Sequence, residues 1–294
     1  MHIPDGFLTP PVWLTLDVIS VPVVAWVARR RPAVVSDLDR RVPLMGVMGA
    51  FVFAAQMINF PVGLGASGHL LGGTLLALML GPGAAAIVLT AVLILQALLF
   101  QDGGVLALGA NIFNMALAGV LLGYLPSRLF GRNMVTIFLG GMLSVLISGV
   151  LALAELQTSG VAITGHPAQV ALLLFALTGI VEGAITVVVI RSIERLNHTA
   201  LRSTSATSLH ARLAVIGAAA VLALCGAWLA SGAPDSLQLL ASNVGLDAEP
   251  VWTHSPLANY EVSSLGPEWA RRPAAGLLGL AFVYTMFSLG GKKR

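Results

Sequence analysis

Residues 83–100 read Gly83-Ala84-Ala85-Ala86-Ile87-Val88-Leu89-Thr90-Ala91-Val92-Leu93-Ile94-Leu95-Gln96-Ala97-Leu98-Leu99-Phe100, without one ionisable side chain. A run of this length and character satisfies its backbone internally only as a helix and reaches across most of a bilayer's hydrocarbon core. Just upstream, Gly81-Pro82-Gly83 interrupts the apolar sequence. A helix continuing through that break would overshoot the bilayer, so the break separates two spans. Working outward, similar runs occur at 9–28, 42–60, 64–81, 105–125, 134–155, 167–190, 212–231 and 273–290. The fold class predicted is all-α integral membrane, with about nine transmembrane helices. The run at 64–81 is the weakest, because its glycine-rich beginning also reads as loop. Composition agrees: 57% of the 294 residues are hydrophobic and 10% charged, where a soluble domain carries about a quarter charged. The 32 glycines suit helices that approach closely in lipid.

The isoelectric point near 9.5 does not indicate nucleic acid, because the basic residues gather at the ends of apolar runs. With the N-terminus outside and the C-terminus inside, 14 of the 16 basic residues are cytoplasmic and only Arg271 and Arg272 are external. Omitting the third span would split the basic residues between the two sides. The single cysteine, Cys225, excludes an intrachain disulfide. No Lys or Arg precedes the first apolar stretch, so a signal peptide is not expected and the start of the chain is expected to be retained.

Three regions follow. Residues 1–195 hold seven closely spaced spans, 196–211 form a Ser/Thr-rich cytoplasmic linker, and 212–294 supply two spans around an external loop at 232–272. There is no internal repeat.

The α-amine of Met1, the amide nitrogen of His2 and the His2 imidazole can close two fused chelate rings on one metal ion. That arrangement needs a deprotonated amide and suits ions that favour planar nitrogen coordination, such as Ni(II) or Cu(II). The bulk of His2 disfavours removal of the initiator methionine. Spacing alone fits a solvated terminal histidine better. His69, in Gly65-Ala66-Ser67-Gly68-His69-Leu70-Leu71-Gly72-Gly73, is expected on the same external side, and an ionisable residue in a membrane segment is a functional candidate. Its alternative is an interfacial histidine bonded to a carbonyl. Together the two supply four nitrogens. Asn59, Ser67, Asp102, Asn111, Asn114 and Glu182, with Gln96 and Gln101, form a polar set able to bond the inserted N-terminal segment and orient His69; interhelical hydrogen bonds explain each of them as well. The phosphate-binding string GxxxxGK[ST] is absent, so any ATP-binding site belongs to another subunit.

Met1-His2-Ile3-Pro4-Asp5-Gly6-Phe7-Leu8 resembles the opening of the CbiM/NikM family, the cobalt and nickel S components of energy-coupling factor (ECF) transporters. The resemblance continues through Asn59-Phe60-Pro61-Val62, Gly65 to Gly73, Leu80-Gly81-Pro82, Gln96 to Phe100, Asp102-Gly103-Gly104 and Leu108 to Met115. It implies a seven-helix bundle with the N-terminal loop tucked inside, Met1, His2 and His69 as metal ligands, Ni(2+) or Co(2+) as transported substrate, and no permanently bound cofactor. It also implies a CbiQ/NikQ-like membrane coupling subunit and CbiO/NikO-like ATPases as partners, in a bacterial plasma membrane. Ala233-Pro234-Asp235-Ser236-Leu237-Gln238 and Ser255-Pro256-Leu257-Ala258-Asn259-Tyr260 resemble the accessory CbiN/NikN subunit's APDGLE and S-P-L-x-x-Y motifs, with Ser236 for Gly and Gln238 for Glu. A role requiring that Glu carboxylate is thereby in doubt.

Two other functions are weighed. Gly65-Ala66-Ser67-Gly68 fits the nucleophile string of rhomboid proteases, with His166 as the base to propose, but no rhomboid-like context surrounds His166. A partner-independent channel or secondary transporter is the other. A planar nitrogen set and the fused accessory segment lean toward nickel over cobalt. Ala50 and Ala54 make a small-xxx-small pattern that offers a docking face for the coupling subunit or for a helix of the same bundle. The external loop, whose one histidine is His254, reads either as a metal funnel or, preferably, as a lid over the N-terminal segment.

Overall fold

A computed structural model describes residues 1–29, 38–196, 209–251 and 255–290. Most of the expected linker, His254, and the basic residues Arg30, Arg31, Arg202, Lys292, Lys293 and Arg294 lie outside the described residues.

Helices dominate: α1 (Pro10–Arg29), α2 (Leu38–Gln56), α3 (Gly73–Leu80), α4 (Pro82–Leu95), α5 (Leu108–Asn111), α6 (Val120–Phe130), α7 (Met134–Thr158), α8 (His166–Leu196), α9 (Leu209–Leu229), α10 (Ser236–Val244) and α11 (Glu268–Gly290). Two π-helical segments extend this set. Gln96–Phe100 continues α4, and Ile112–Gly119 joins α5 to α6. Such wide turns recur at functional positions, and these two flank the loop that carries Asp102, Gly103 and Gly104.

Five helical runs among the described residues are long and apolar enough to cross a membrane: Pro10–Arg29, Pro82–Phe100, Leu108–Phe130, Met134–Thr158 and His166–Arg195. Val18, Trp26, Val135, Val188 and Trp228 stand exposed on these and neighbouring helices, as expected where lipid is the solvent. The chain is thus a helical multi-pass membrane protein.

The third expected span is corrected. Residues 64–81 do not form one helix. They are divided between a hairpin of β1 (Phe60–Gly63) and β2 (Ala66–Gly68), an extended stretch through His69, and the eight-residue α3. Leu64 and Gly65 at the hairpin tip have φ of 53° and 76°, a region that glycine favours. Gly72, at φ 75°, starts α3. This much irregular backbone is tolerated because protein surrounds it: Ser67 to Ala77 are all buried. The expected break at Gly81-Pro82 is present, with Pro82 opening α4. Helix α10, inside residues 232–272, was not expected from hydropathy.

α7 packs along α8, and α9 and α11 pack on α2. The Ala50–Ala54 face is therefore not free for a coupling subunit. Ala50 lies in a buried cluster with Phe53, Val92, Phe100, Ala275 and Val283, and a Cβ on Gly49 would sit 2.9 Å from Val283. The small residues of α2 admit the chain's own α11, the intramolecular alternative.

Candidate metal site

The N-terminal segment turns back into the bundle. Met1, His2, Ile3, Asp5, Phe7 and Leu8 are buried. Ile3 is gripped on both polar atoms: its N–H donates to Asn111 Oδ1 at 2.8 Å, and its carbonyl accepts from Asn111 Nδ2 at 3.0 Å and Gly104 N–H at 2.8 Å. The Asp5 carboxylate accepts from the N–H groups of Val105 (3.1 Å) and Leu106 (2.8 Å). Buried backbone groups must be paired somewhere, and here the loop after the π-helical turn of α4 supplies the partners.

These bonds bring the first two residues to His69. The Met1 amine lies 2.8 Å from His69 Nε2. The His2 and His69 rings stack, centroids 5.1 Å apart and 5° from parallel. His69 Nδ1 is 3.0 Å from the Leu70 carbonyl; donation there leaves Nε2 with its lone pair turned to the amine. His69 is itself buried. Glu182, fully buried on α8, accepts from Leu71 N–H (2.7 Å) and Gly72 N–H (2.9 Å) and anchors the strand that presents His69.

Two carboxylates complete the surroundings. Asp102 Oδ1 stands 3.0 Å from His2 Nδ1, and Asp102 Oδ2 accepts from the Tyr260 hydroxyl at 2.5 Å. Asp235 forms an ion pair with the Met1 amine. Burial alone would raise both carboxyls; the His2 imidazole beside Asp102 and the terminal ammonium beside Asp235 outweigh it and hold them below the usual range. Asp235 also caps α10, accepting from Leu237 and Gln238 N–H at 2.8 Å each, while Gln238 Oε1 accepts from Asp235 N–H at 3.0 Å. A capping box takes Gln as well as Glu, so the departure at 238 leaves this turn intact.

Of the expected polar set, Asp102, Asn111 and Glu182 meet the N-terminal segment or the His69 strand directly. Ser67 instead ties that strand to the C-terminal region, its N–H donating to the Pro234 carbonyl and its hydroxyl to the Ala233 carbonyl. Asn59 acts likewise through its carbonyl, which accepts from Ser231 N–H at 2.7 Å. Asn114 belongs elsewhere, donating to Glu155 at 2.8 Å. Sequence reasoning gave no role to Asp5, Gln56 or Tyr260. Gln96 donates to Gln56 and to the Tyr260 hydroxyl, and only the S-P-L-x-x-Y resemblance marked that tyrosine. The protease constellation is absent: Ser67 is buried and committed to the Ala233 carbonyl, while His166 is exposed at the start of α8. Among the described residues, no three His, Cys, Asp or Glu side chains gather as metal ligands, so a nitrogen site here requires main-chain atoms.

The fold and this buried, nitrogen-bearing pocket define a multi-pass membrane protein with a small polar site set among apolar helices. Residues 2–200 match the family model CbiM, described as a cobalt uptake substrate-specific transmembrane region. A fused nickel transport protein of Archaeoglobus fulgidus, named NikMN, is 32% identical over 97% of this chain and 96% of its own length. The fused nickel transport protein NikMN of Rhodobacter capsulatus is 32% identical over 54% of this chain and 44% of its own. Two solved structures, of a transition metal transporter and of a truncated one, superpose with TM-scores of 0.58 and 0.57 at 33% and 34% identity, each covering about two thirds of this chain (67% and 66%) and 94% and 99% of their own. The chain belongs to the CbiM/NikM family of cobalt and nickel transport proteins, with a NikN-like segment fused at its C-terminus. It is a transporter component, not an enzyme.

Proposed function

We propose that this chain is the S component of an ATP-driven ECF importer, capturing Ni(2+), or secondarily Co(2+), with the Met1 amine, the His2 amide and imidazole, and His69. The observation that carries the reading is the 2.8 Å separation of the Met1 nitrogen from His69 Nε2. Four nitrogens about 2.0 Å from one ion form a square whose edge is that length. The two fused chelate rings at His2 supply the other corners, and Ni(II) accepts such a plane more readily than Co(II).

In this reading residues 1–195 are the capture domain, 196–211 a cytoplasmic linker and 212–294 the accessory segment. The chain crosses a bacterial plasma membrane about nine times, the third crossing shared between the His69 strand and α3, with the N-terminus outside and the C-terminus inside. A membrane coupling subunit and cytoplasmic ATPases are the partners, because a tightly held ion is released only if something binds the emptied state better. Co-purification of those subunits separates this from a partner-independent channel.

The direct test is one residue added before Met1. It turns the amine into an amide, and Ni(II) binding by the purified protein, measured calorimetrically, should fall at least about a hundredfold, since a donor and its chelate ring are lost. Native affinity in the extended protein would sink the terminal-chelate reading.

A further inference from the structure

Two adjoining cavities lead toward His69. The inner one, about 240 Å³, is lined by His69, Asp102 and Asp235 together with residues of the C-terminal segment. The outer one, about 270 Å³, reaches Ser231, Gly232 and Arg272. Met57, Asn59, Gln238, Asn259 and Tyr260 line both. A divalent cation with six waters needs roughly 200 Å³, at about 30 Å³ per water, so each cavity has the size for a hydrated ion. The lining is also suitable. Asn59, Gln238 and Asn259 present side-chain amides and Asp102 and Asp235 carboxylates, which are oxygen groups that hold a cation through its waters without stripping them. The one cation in the outer cavity, Arg272, is bonded to Glu261 at 2.9 Å.

The shared wall is strained. Asn259 and Tyr260 are consecutive non-glycine residues with φ of 56° and 58°. A left-handed pair of this kind persists only when its surroundings hold it. The Tyr260 hydroxyl bonds to Asp102 and Gln96, and its ring stacks on Phe100 at 4.8 Å. The tyrosine from the C-terminal segment thus stands where the outer cavity meets the inner one, bonded to the carboxylate that faces His2.

We propose that these two cavities are the passage by which the hydrated divalent ion reaches the nitrogen ligands, with Tyr260 as the residue of the fused segment that controls it. The inference rests on the metal-capture reading above and adds to it a route and a residue. On this view the C-terminal segment builds half of the passage, and the ion exchanges water for nitrogen only after passing Tyr260 and Asp102.

The test uses the full-length protein with Cys225→Ala, carrying Gly232→Cys, where an added Cβ meets nothing within 4 Å, or, just past the end of α2, Met57→Cys. Each folded sample is measured before and after a bulky methanethiosulfonate reagent attaches, and again after a reductant removes it, so folding is controlled within the sample. Ni(II) is mixed in by stopped flow and loading is followed by the visible absorbance of the complex. The label should slow association on the order of tenfold while the equilibrium affinity stays unchanged, because a blocked route hinders arrival and departure alike; reduction should restore the rate. Unchanged loading in both labelled variants overturns the passage and leaves the site reading standing. A lost affinity without slower loading also overturns it, by making this wall part of the site. Failure of the unlabelled protein to bind Ni(II) or Co(II) overturns the site reading and the passage with it.

Discussion

Gly104 shows how closely the N-terminal segment is fitted. A Cβ added there would fall inside contact distance of the Asp5 main chain and carboxylate and 2.8 Å from the Pro4 carbonyl carbon. The Asp5 nitrogen and the Pro4 carbonyl carbon are backbone atoms, which cannot swing aside as a side-chain tip does. Gly104→Ala should therefore expel the segment and abolish high-affinity Ni(II) binding while the helices still form; calorimetry beside circular dichroism checks both halves. Glu182→Ala strips the partners from two buried N–H groups, at roughly 1–3 kcal/mol each. The expected result is a lower melting temperature together with weaker metal binding, since the strand that presents His69 is released. His69→Ala, by contrast, should weaken Ni(II) binding severely with little change in melting temperature. An unchanged affinity in that variant would mark His69 as structural.

At the scale of elements, the α2–α11 contact joins the fused C-terminal segment to the N-terminal bundle. Phe53 and Phe100 occupy the space beside Gly279, where a Cβ would meet both rings, and Ala275 of α11 is fully buried. Overpacking a close helix contact costs about 1–3 kcal/mol. Ala50→Leu should lower thermal stability by that order and loosen α11, read as faster proteolysis between residues 255 and 268 in detergent. Wild-type stability in this variant would show that the contact tolerates bulk. The same contact explains why the small-xxx-small pattern was legible while its occupant was not. The pattern records that a helix can come close, and α9, α11 and a foreign helix all meet that requirement.

For the whole molecule, the C-terminal region reaches across the N-terminal loop. Glu249 N–H donates to the Asp5 carbonyl at 2.8 Å, Val251 N–H approaches the Asp5 carboxylate at 3.4 Å, and the Ser255 hydroxyl bonds to the Leu99 carbonyl. Truncation after residue 200 removes these bonds along with Asp235 and Tyr260. Uptake at limiting metal should fall strongly, and the fall should exceed that of His254→Ala if the loop acts as a lid. A severe His254→Ala defect would favour the funnel.

The sequence alone determined the solvent of this protein, most of its helices and its family, because apolar runs and their breaks are local properties that the bilayer reads directly. It also identified Met1, His2 and His69 as the residues to examine, through the chemistry of an N-terminal histidine and the resemblance. The tertiary structure decided what surrounds them. Met1 meets Asp235 across 234 positions and Tyr260 meets Asp102 across 158, and no pattern in residue order encodes a distance of that kind. It also decided the conformation of residues 64–81, where hydropathy saw only an apolar stretch. In lipid an irregular strand is forbidden, whereas inside a bundle the carboxylate of Glu182 can take the place of a helix's own hydrogen bonds, and whether such a partner is near is known only when the chain has packed.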